Sequence, residues 1–358
     1  MTVLDTLDTA YTDRFARARA WRADGGTVVG YVGADTPVEL VTAAGALPVR
    51  LSGRPGRPLG HAREYLGAGV DPATLSILAG LLDEAHPLDL LLVSHDSEAS
   101  LQLFYALREL RRLGLEPQLP PTWLVDVLHL PHRSTATYNL VRLRELRSRL
   151  ERFAGATIDA DALAAAVATH EEIRSARRVL ATLRAPGRRA LTGVEALTLV
   201  GAGSTLPAGE YLPLLRAALA ELAGRAPRPG VPLLLTGSAH DEPGVYRSLE
   251  DDGWLIVGED HSWGDGAGEP PLTPPTLEGL AEWYQGRTVS EAAPAAVART
   301  GAEGVLSYAR THDDAPLWDF RALAAAVPVP AALVAGQEYG TVDLAAVRAE
   351  LKDGGGPR

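Results

Sequence analysis

Residues 27–51 read TVVGYVGADTPVELVTAAGALPVRL, and no other stretch of the sequence indicates the architecture more clearly. Its apolar run Val28–Val32 is typical of a buried parallel strand. We expect Asp35 or Thr36 to cap the helix that follows, because short polar side chains before a proline are common at helix starts. A second strand is predicted at residues 47–51. The stretch therefore predicts a β-α-β unit, the building block of a parallel sheet.

The same alternation of strands and helices continues along the chain and returns in its second half. Further strands are predicted at 88–94, 122–128, 232–235, 254–257, 304–308 and 331–335. Ahead of the first strand, residues 3–24 predict one amphipathic helix that packs on the first sheet. Residues 52–69 are rich in glycine, arginine and proline and predict a loop.

Residues 138–222 have helical periodicity, with leucines on one face. The arginines and glutamates on the other faces are typical of a solvated surface. A Pro/Gly segment at 225–230 ends this part. We therefore predict an α/β fold with two doubly wound parallel-sheet domains of the Rossmann or flavodoxin type, at residues 1–137 and 231–358. A helical connector at 138–230 joins them.

The composition excludes several classes of protein. With 358 residues, 46% of them hydrophobic, the chain is long enough for two domains with cores. A formal net charge of −11 argues against nucleic-acid and anionic-membrane partners. We find no signal peptide and no apolar run of about 20 residues, so we expect a cytoplasmic protein without a membrane segment. Lys352 is the only lysine, which disfavours Schiff-base chemistry, and the sequence has no cysteine.

The opening β-α-β stretch also carries a family motif. Its elements are Gly30-Tyr31, Pro37, Glu39-Leu40, Ala43-Ala44-Gly45 and Pro48-Val49-Arg50. The motif resembles the start of the 2-hydroxyacyl-CoA dehydratase family, which includes benzoyl-CoA reductase subunits. The resemblance implies two α/β domains, a heterodimer of related subunits and, usually, an iron–sulfur cluster held by cysteines.

The resemblance places the family's three cluster ligands at Asp71, at Ser97 with Asp96 as the alternative register, and at Ser262. This sequence has oxygen side chains at all of these positions. Oxygen ligands do not replace thiolates around an iron–sulfur cluster. We therefore expect no such cofactor and no one-electron radical chemistry.

The resemblance also implies that acid–base side chains converge where the cluster would lie. Two carboxylates and two imidazoles there would supply a general base and a general acid near neutral pH. The same groups could hold a hard metal ion, but no paired-histidine metal motif is present and we predict no metal ligand. The predicted catalytic residues are His95, Asp96, His261, Asp71 and Glu39.

Simpler roles explain several polar residues about as well. Asp71 precedes a proline and is also a good helix cap, and Glu39 lies near the positive end of a helix. His129 and His132 are interpreted as structural histidines at a turn. These alternatives stay open in the sequence.

The predicted substrate-binding residues lie mainly in the loops that follow the strands. Ser238 and His240 are placed in the first turn of a helix, where backbone N–H groups favour an anion, although capping by Ser238 explains the pattern nearly as well. The full set is Asp35, Ser97, Ser238, His240, Ser262 and Trp263.

These features predict a cluster-free lyase that acts in a heterodimer with a paralogous family subunit. It would eliminate an activated leaving group (sulfate, phosphate or water) from a small acyl thioester or a carrier-bound substrate. If a neighbouring amine were the nucleophile, ring closure of the aziridine type, as in secondary metabolism, would follow. The alternative is a non-catalytic scaffold subunit paired with a catalytic paralogue.

Overall fold

The computed structural model describes residues 2–267, 269–287 and 293–351. The strands of this part of the chain are β1 (Val28–Val32), β2 (Leu47–Arg50), β3 (Leu90–Ser94), β4 (Thr122–Val125), β5 (Val231–Gly237), β6 (Trp254–Glu259), β7 (Gly304–Arg310) and β8 (Ala331–Gln337).

The strands form two four-stranded sheets, both parallel, in the orders β2-β1-β3-β4 and β6-β5-β7-β8. This arrangement confirms the predicted α/β fold with two parallel-sheet domains. In each sheet the chain moves first to one side of the initial strand and then to the other. The direction therefore reverses between β1 and β3 and between β5 and β7. Sheets of this kind bind ligands beyond the carboxyl ends of the strands at the reversal point.

Helices cover the sheets and fill the stretch between them. They are α1 (Val3–Thr12), α2 (Ala16–Ala23), α3 (Val38–Ala43), α4 (Gly60–Leu66), α5 (Pro72–Asp83), α6 (Glu98–Arg112), α7 (Arg133–Ala154), α8 (Ala160–Arg184), α9 (Gly193–Ala202), α10 (Ala208–Leu222), α11 (Gly244–Asp251), α12 (Leu277–Gly286), α13 (Ala293–Thr300), α14 (Ala315–Ala326) and α15 (Leu344–Leu351). A search of the described residues finds no helix with the length and apolar character needed to cross a bilayer.

The opening β-α-β unit forms as predicted, except at the start of its helix. β1 and β2 pair in parallel, but α3 begins only at Val38. Its N-cap position is Pro37, which has no capping side chain, so the expectation that Asp35 or Thr36 caps the helix was wrong. The Asp35 carboxylate instead accepts a hydrogen bond from His129, at 2.8 Å.

The segment predicted as one helix at 3–24 consists of α1 and α2, which pack on different domains. Leu7 and Tyr11 of α1 lie in the core of the second domain, whereas Ala18 of α2 lies in a core of the first. The break between the helices lets this segment contact both domains, so the expectation of packing on the first sheet alone was wrong. Likewise, the loop predicted at 52–69 contains the short helix α4.

α8 lies between the two domains and packs on both. Leu163, near its start, belongs to a core that includes Val29 of β1. Leu180, near its end, belongs to a core that includes Leu233 of β5. The boundaries of the predicted helical connector stay a prediction.

Two arginines of α8 contradict the expectation that the charged faces of these helices are solvated. Arg174 and Arg184 are only 9% and 1% exposed. Arg174 forms an ion pair with Glu39 of α3, and Arg184 forms one with Glu259 of β6. Because each carboxylate belongs to a different domain, buried ion pairs join α8 to both.

Candidate functional site

The carboxyl ends of the two sheets face a common cleft of about 570 Å³. The loops after β3 and β4 contribute His95, Asp96 and His129, and the loop after β6 contributes Asp260 and His261. We call this space the cleft. It lies at the edge where doubly wound sheets bind their ligands, and three of the predicted catalytic residues line it.

Two histidines of the cleft are each paired with an aspartate. His95 Nδ1 lies 3.0 Å from Asp126 Oδ1, and Tyr138 donates its hydroxyl to the same carboxylate. Because the carboxylate oxygen accepts this hydrogen bond, Nδ1 is the protonated nitrogen in the neutral tautomer of His95, and Nε2 is left as the acceptor. His129 Nε2 donates to Asp35 at 2.8 Å, and this hydrogen bond raises the pKa of the imidazole. His95 thus offers a base to the cleft, and His129 offers an acid.

Asp260 is a carboxyl group with altered acidity in the same cleft. Its Oδ1 accepts a hydrogen bond from the amide of Gly237, at 3.2 Å. Burial raises the pKa of Asp260 to about 7, and the charges of Glu259 and Asp319 also raise it. A carboxyl group with this pKa can accept or donate a proton near neutral pH.

Asp96 and Ser97 hold backbone in place beside the cleft. Asp96 accepts hydrogen bonds from the amide of Ala34 at 2.5 Å and from the Ser100 hydroxyl at 3.0 Å. Ser97 caps α6 by accepting from the amide of Ser100. Gly33 makes this approach possible, since its φ is +91° and a Cβ there would lie 2.6 Å from Asp96 Oδ2. Asp96 therefore fixes the loop after β1, and its catalytic role stays a prediction.

His261 is buried at the cleft, and both of its ring nitrogens have partners. The amide of Trp263 donates to Nδ1 at 3.3 Å, so Nε2 carries the proton of the neutral ring and lies 3.1 Å from the Tyr246 hydroxyl. Burial, followed by the charge of Arg310, lowers the pKa of His261 to about 3. The ring of His240 packs 5.3 Å away, and burial also lowers its pKa. Neither ring nitrogen of His261 is free to accept a proton from a ligand. Its catalytic role stays a prediction.

Ser238 and His240 do not lie in the first turn of a helix, so that interpretation was wrong. α11 begins at Gly244, and both residues belong to the loop after β5. The Ser238 hydroxyl donates to Asp313 at 2.5 Å and accepts from the amide of Arg310 at 3.0 Å. The hydroxyl that was expected to cap a helix instead joins this loop to the segment at the end of β7.

A smaller cavity of about 110 Å³ lies next to the cleft, and four arginines line it. They are Arg50, Arg174, Arg177 and Arg287. We call this space the arginine cavity. Ala34, Ser262 and Arg287 line both spaces. A ligand in the cleft could therefore extend one end into the arginine cavity.

Glu39 is wholly buried behind the arginine cavity. It accepts hydrogen bonds from Arg174 at 2.7 Å and from the Tyr284 hydroxyl at 3.1 Å. Burial opposes its ionisation, but the charge of Arg174 outweighs that effect, and the pKa of Glu39 lies below its ordinary value. Its carboxylate is thus ionised and bonded within the protein, and a catalytic role for it stays a prediction.

The positions at which the resemblance implies cluster ligands do not offer the donors of an iron–sulfur cluster. Arg310 holds the Asp71 carboxylate through two hydrogen bonds of 2.8 Å. Arg50 donates to the Ser262 hydroxyl at 2.7 Å and lies 4.2 Å from the centre of the Trp263 ring. Within the described ranges, no three His, Cys, Asp or Glu side chains form a group able to hold a metal ion. Oxygen side chains that are already bound to guanidinium groups do not fit a thiolate-ligated cluster.

The sequence predictions missed the arginine cavity and part of the cleft. Asp260 comes three residues after the strand predicted at 254–257, and this position was a usable signal. His129 was interpreted as a structural histidine, yet it lines the cleft and forms a hydrogen bond with Asp35. Arg174 and Arg177 gave no signal, because charged residues on an amphipathic helix usually face solvent.

Comparison with models of known protein families found a match over most of the chain. The family model described as 2-hydroxyglutaryl-CoA dehydratase, D-component, matches residues 34–309. The matched range contains His95, His129 and Asp260 of the cleft and all four arginines of the arginine cavity. In a search of curated proteins, none matched the chain.

Proposed function

Because the chain belongs to the 2-hydroxyglutaryl-CoA dehydratase D-component family, we propose that it is a redox-independent lyase subunit. It eliminates an activated leaving group from a thioester- or carrier-bound substrate by acid–base chemistry. One observation carries the proposal: His95, His129 and Asp260 surround a single cleft between the two sheets. Their different hydrogen-bond partners and burial suit them to different steps of proton transfer.

His95 is the base in this proposal. Asp126 orients the ring and leaves Nε2 unprotonated, so that this nitrogen can take the acidic proton next to a thioester carbonyl. The Asp126 carboxylate also stabilises the imidazolium that forms. Asp260, with a pKa of about 7, is a second group that can accept a proton at neutral pH.

His129 is the acid in this proposal. The hydrogen bond to Asp35 raises the pKa of His129, so its imidazolium persists closer to neutral pH. It can donate a proton to a departing hydroxide, whereas sulfate or phosphate leaves without one. The carbon–oxygen bond breaks, a carbon–carbon double bond forms, and the abstracted proton stays on His95.

A neighbouring amine in the substrate would change the product. The amine nitrogen then forms a bond to the carbon while the carbon–oxygen bond to the leaving group breaks. The base takes the proton released by the amine. The product is a three-membered ring of the aziridine type, as expected in secondary metabolism, and no electron is transferred.

The family description names one component of a dehydratase, so we propose that a paralogous subunit completes the enzyme. A scaffold role is the rival. It is favoured by Asp71 and Ser262, since arginines already bind these side chains at two of the positions implied to carry cluster ligands.

The test uses the chain co-expressed with an adjacent paralogue and supplied with a 3-sulfooxyacyl-CoA, with release of inorganic sulfate as the readout. We expect His95→Gln and Asp260→Asn each to lower the rate by about 10²-fold or more. Glu221→Gln, at a half-exposed side chain far along the connector helices, is the control and should keep the wild-type rate.

Unchanged rates in both cleft variants, together with loss of activity on mutation of the paralogue, would identify this chain as a scaffold. Iron and sulfide in the purified chain would overturn the redox-independent mechanism. Both measurements use the same preparations.

A further inference from the structure

Two of the four arginines in the arginine cavity are neutralised by the protein. Arg174 pairs with Glu39 at 2.7 Å. Arg287 pairs with Glu269, which also lines the cavity, at 2.8 Å. These two cations need no ligand to balance their charge.

Arg50 and Arg177 have no carboxylate partner among the described residues. Arg50 donates to the carbonyl and the hydroxyl of Ser262, both at 2.7 Å. Arg177 reaches the Val200 carbonyl at 3.4 Å. Burial lowers the pKa of Arg50 to about 10, although the charge of Asp96 favours its ionised form. A partly buried cation without a counter-ion is costly, so this wall of the cavity favours an anion.

The cavity also holds buried polar atoms without a hydrogen-bond partner. They are Nη2 of Arg174, Nε of Arg177 and Oγ1 of Thr36. Buried polar groups are nearly always bonded, so three of them around one cavity are unusual. All three can donate a hydrogen bond, which is the requirement of an anion rich in acceptor oxygens.

The cavity is large enough for such an anion, and its cations are held in position. A buried water needs about 10–15 Å³ of comparable space, so about 110 Å³ admits a group of several heavy atoms. Arg50 lies 4.2 Å from the Trp263 ring centre, and Arg174 lies 4.6 Å from that of Trp283. Stacking on these rings fixes both guanidinium groups before a ligand arrives.

We propose that the arginine cavity binds a tetrahedral dianionic oxyanion, and that this anion is the sulfate or phosphate leaving group of the elimination. The assignment as a leaving group rests on the proposed function. Ala34, Ser262 and Arg287 line both spaces, so a substrate whose reacting carbon is in the cleft can place its ester oxygens in the cavity. A sulfate ester carries one negative charge, and released sulfate carries two. The two uncompensated cations therefore stabilise charge that develops as the carbon–oxygen bond breaks.

The proposal is tested by calorimetric titration of the full chain with sodium sulfate, sodium phosphate, sodium acetate and coenzyme A, at constant ionic strength set with chloride. We expect sulfate or phosphate to bind at least tenfold more tightly than acetate. Arg50→Gln and Arg177→Gln should each weaken that binding by about tenfold or more. Arg216→Gln removes an exposed arginine that pairs with Glu172 and should leave it unchanged.

Thermal unfolding keeps the test valid if a variant is perturbed. Arg177→Gln removes an uncompensated cation, so without sulfate it should melt no lower than wild type. Sulfate should raise the melting temperature of wild type and not that of the variant. A variant that melts lower but still binds sulfate normally would assign Arg177 a structural role and overturn the proposal.

The outcomes separate this proposal from the lyase itself. Elimination by wild type without any binding of sulfate or phosphate would overturn the cavity assignment alone. Arginine-dependent binding of coenzyme A alone would also overturn it, by assigning the cavity to the carrier. Sulfate binding without turnover of any sulfooxyacyl-CoA would support the anion site and count against the lyase.

Discussion

Arg174 and Arg184 lie on the same helix, α8, and both are buried, yet their surroundings differ. Arg184 faces two carboxylates, Glu259 and Asp265, at 2.5 and 3.1 Å, and it also donates to a backbone carbonyl of β6. We call this the closed cluster. Arg174 also pairs with two carboxylates, Glu39 at 2.7 Å and Glu171 at 3.0 Å, but it lies in a cavity wall with three other arginines. We call this the open cluster.

The comparison shows which feature separates a structural cation from a binding one. Each of the two arginines has one nitrogen without a partner, Nε in Arg184 and Nη2 in Arg174. An unpaired nitrogen is therefore not a sufficient sign of a ligand site. The open cluster differs because it combines that nitrogen with a cavity and an excess of positive charge. The closed cluster has no such excess, because two carboxylates face Arg184, and these ion pairs join α8 to the second domain.

The largest effect is expected in the closed cluster. Arg184→Ala would remove the hydrogen-bonded counter-ion of the buried Glu259 and Asp265, although the charge of Arg299 still acts on Asp265. We expect a cost of about 3–5 kcal/mol in the free energy of unfolding. Chemical denaturation at pH 7 measures this loss. Arg216→Ala, which breaks an exposed pair with Glu172, is the control and should change stability little. A loss in Arg184→Ala as small as in the control would remove the distinction between the clusters.

A smaller loss, about 2–3 kcal/mol, is expected for Arg174→Ala, because the cavity admits water and Tyr284 still donates to Glu39. The loss should depend on pH. Arg174 holds the pKa of Glu39 below its ordinary value of 4.5, so the pair stabilises the fold above that pH. This stabilisation disappears as the pH falls through the lowered pKa of the folded state.

Denaturation of wild type and Arg174→Ala at pH 7 and pH 4 measures this dependence. The difference should be smaller at pH 4 than at pH 7, and it should approach zero only below the lowered pKa of Glu39. The double variant Glu39→Gln/Arg174→Ala is the control, since it removes both charges and should recover much of the loss. An equal difference at the two pH values would mean that packing on Trp283, and not the ion pair, explains it.

These two clusters also show what a sequence can and cannot reveal. The strand at Val28–Val32 was predictable because its apolar run is a local pattern. His95 and Asp96 were predictable as neighbours of a site, since the end of a parallel strand fixes where its next residues lie. The pair between Arg174 and Glu39 joins residues 135 positions apart, and no local pattern encodes that contact. Helical periodicity assigned the arginine to solvent.

The protonation of the site was equally beyond the sequence. An unperturbed histidine titrates near pH 6.5, which made His261 a natural candidate for acid–base work. Burial among other side chains lowers its pKa to about 3 and raises that of Asp260 to about 7. Both shifts depend on the packing of the whole cleft. The residue type therefore suggested a base, whereas the structure has a buried imidazole that is hard to protonate.

Asp260 lies beside the closed cluster, because it directly follows Glu259, and burial raises the pKa of its carboxyl. Its folded pKa, about 7, exceeds the ordinary 3.8, so the folded state holds this proton more tightly. Stability from this group is present below about pH 4 and decreases as the pH rises toward 7. Asp260→Asn should therefore match wild type at pH 4 and be more stable at pH 8. The shift corresponds to at most about 4 kcal/mol, and we expect about 2 kcal/mol because the side chain is partly open to the cleft.

Denaturation of wild type and Asp260→Asn across this pH range provides the measurement, with pH 4 as the internal control. A constant difference between the two proteins from pH 4 to pH 8 would mean that the Asp260 carboxyl does not titrate in this window. The acid–base assignment in the cleft would then rest on the histidines alone.

The smallest effect is expected for Thr36→Val in the open cluster. The Thr36 hydroxyl is buried without a partner and lines the arginine cavity, so its removal breaks no bond within the protein. We expect a change within about 0.5 kcal/mol in the free energy of unfolding.

The matched control is Thr205→Val. Its buried hydroxyl donates to the carbonyls of Ala10 and Ala202, so this variant should lose about 1 kcal/mol in the free energy of unfolding. Sulfate affinity should show the opposite order, with a loss of about threefold in Thr36→Val and none in Thr205→Val. If Thr36→Val were the less stable of the two and bound sulfate as wild type does, the hydroxyl would serve packing, and the open cluster would lose one of its three unpaired donors.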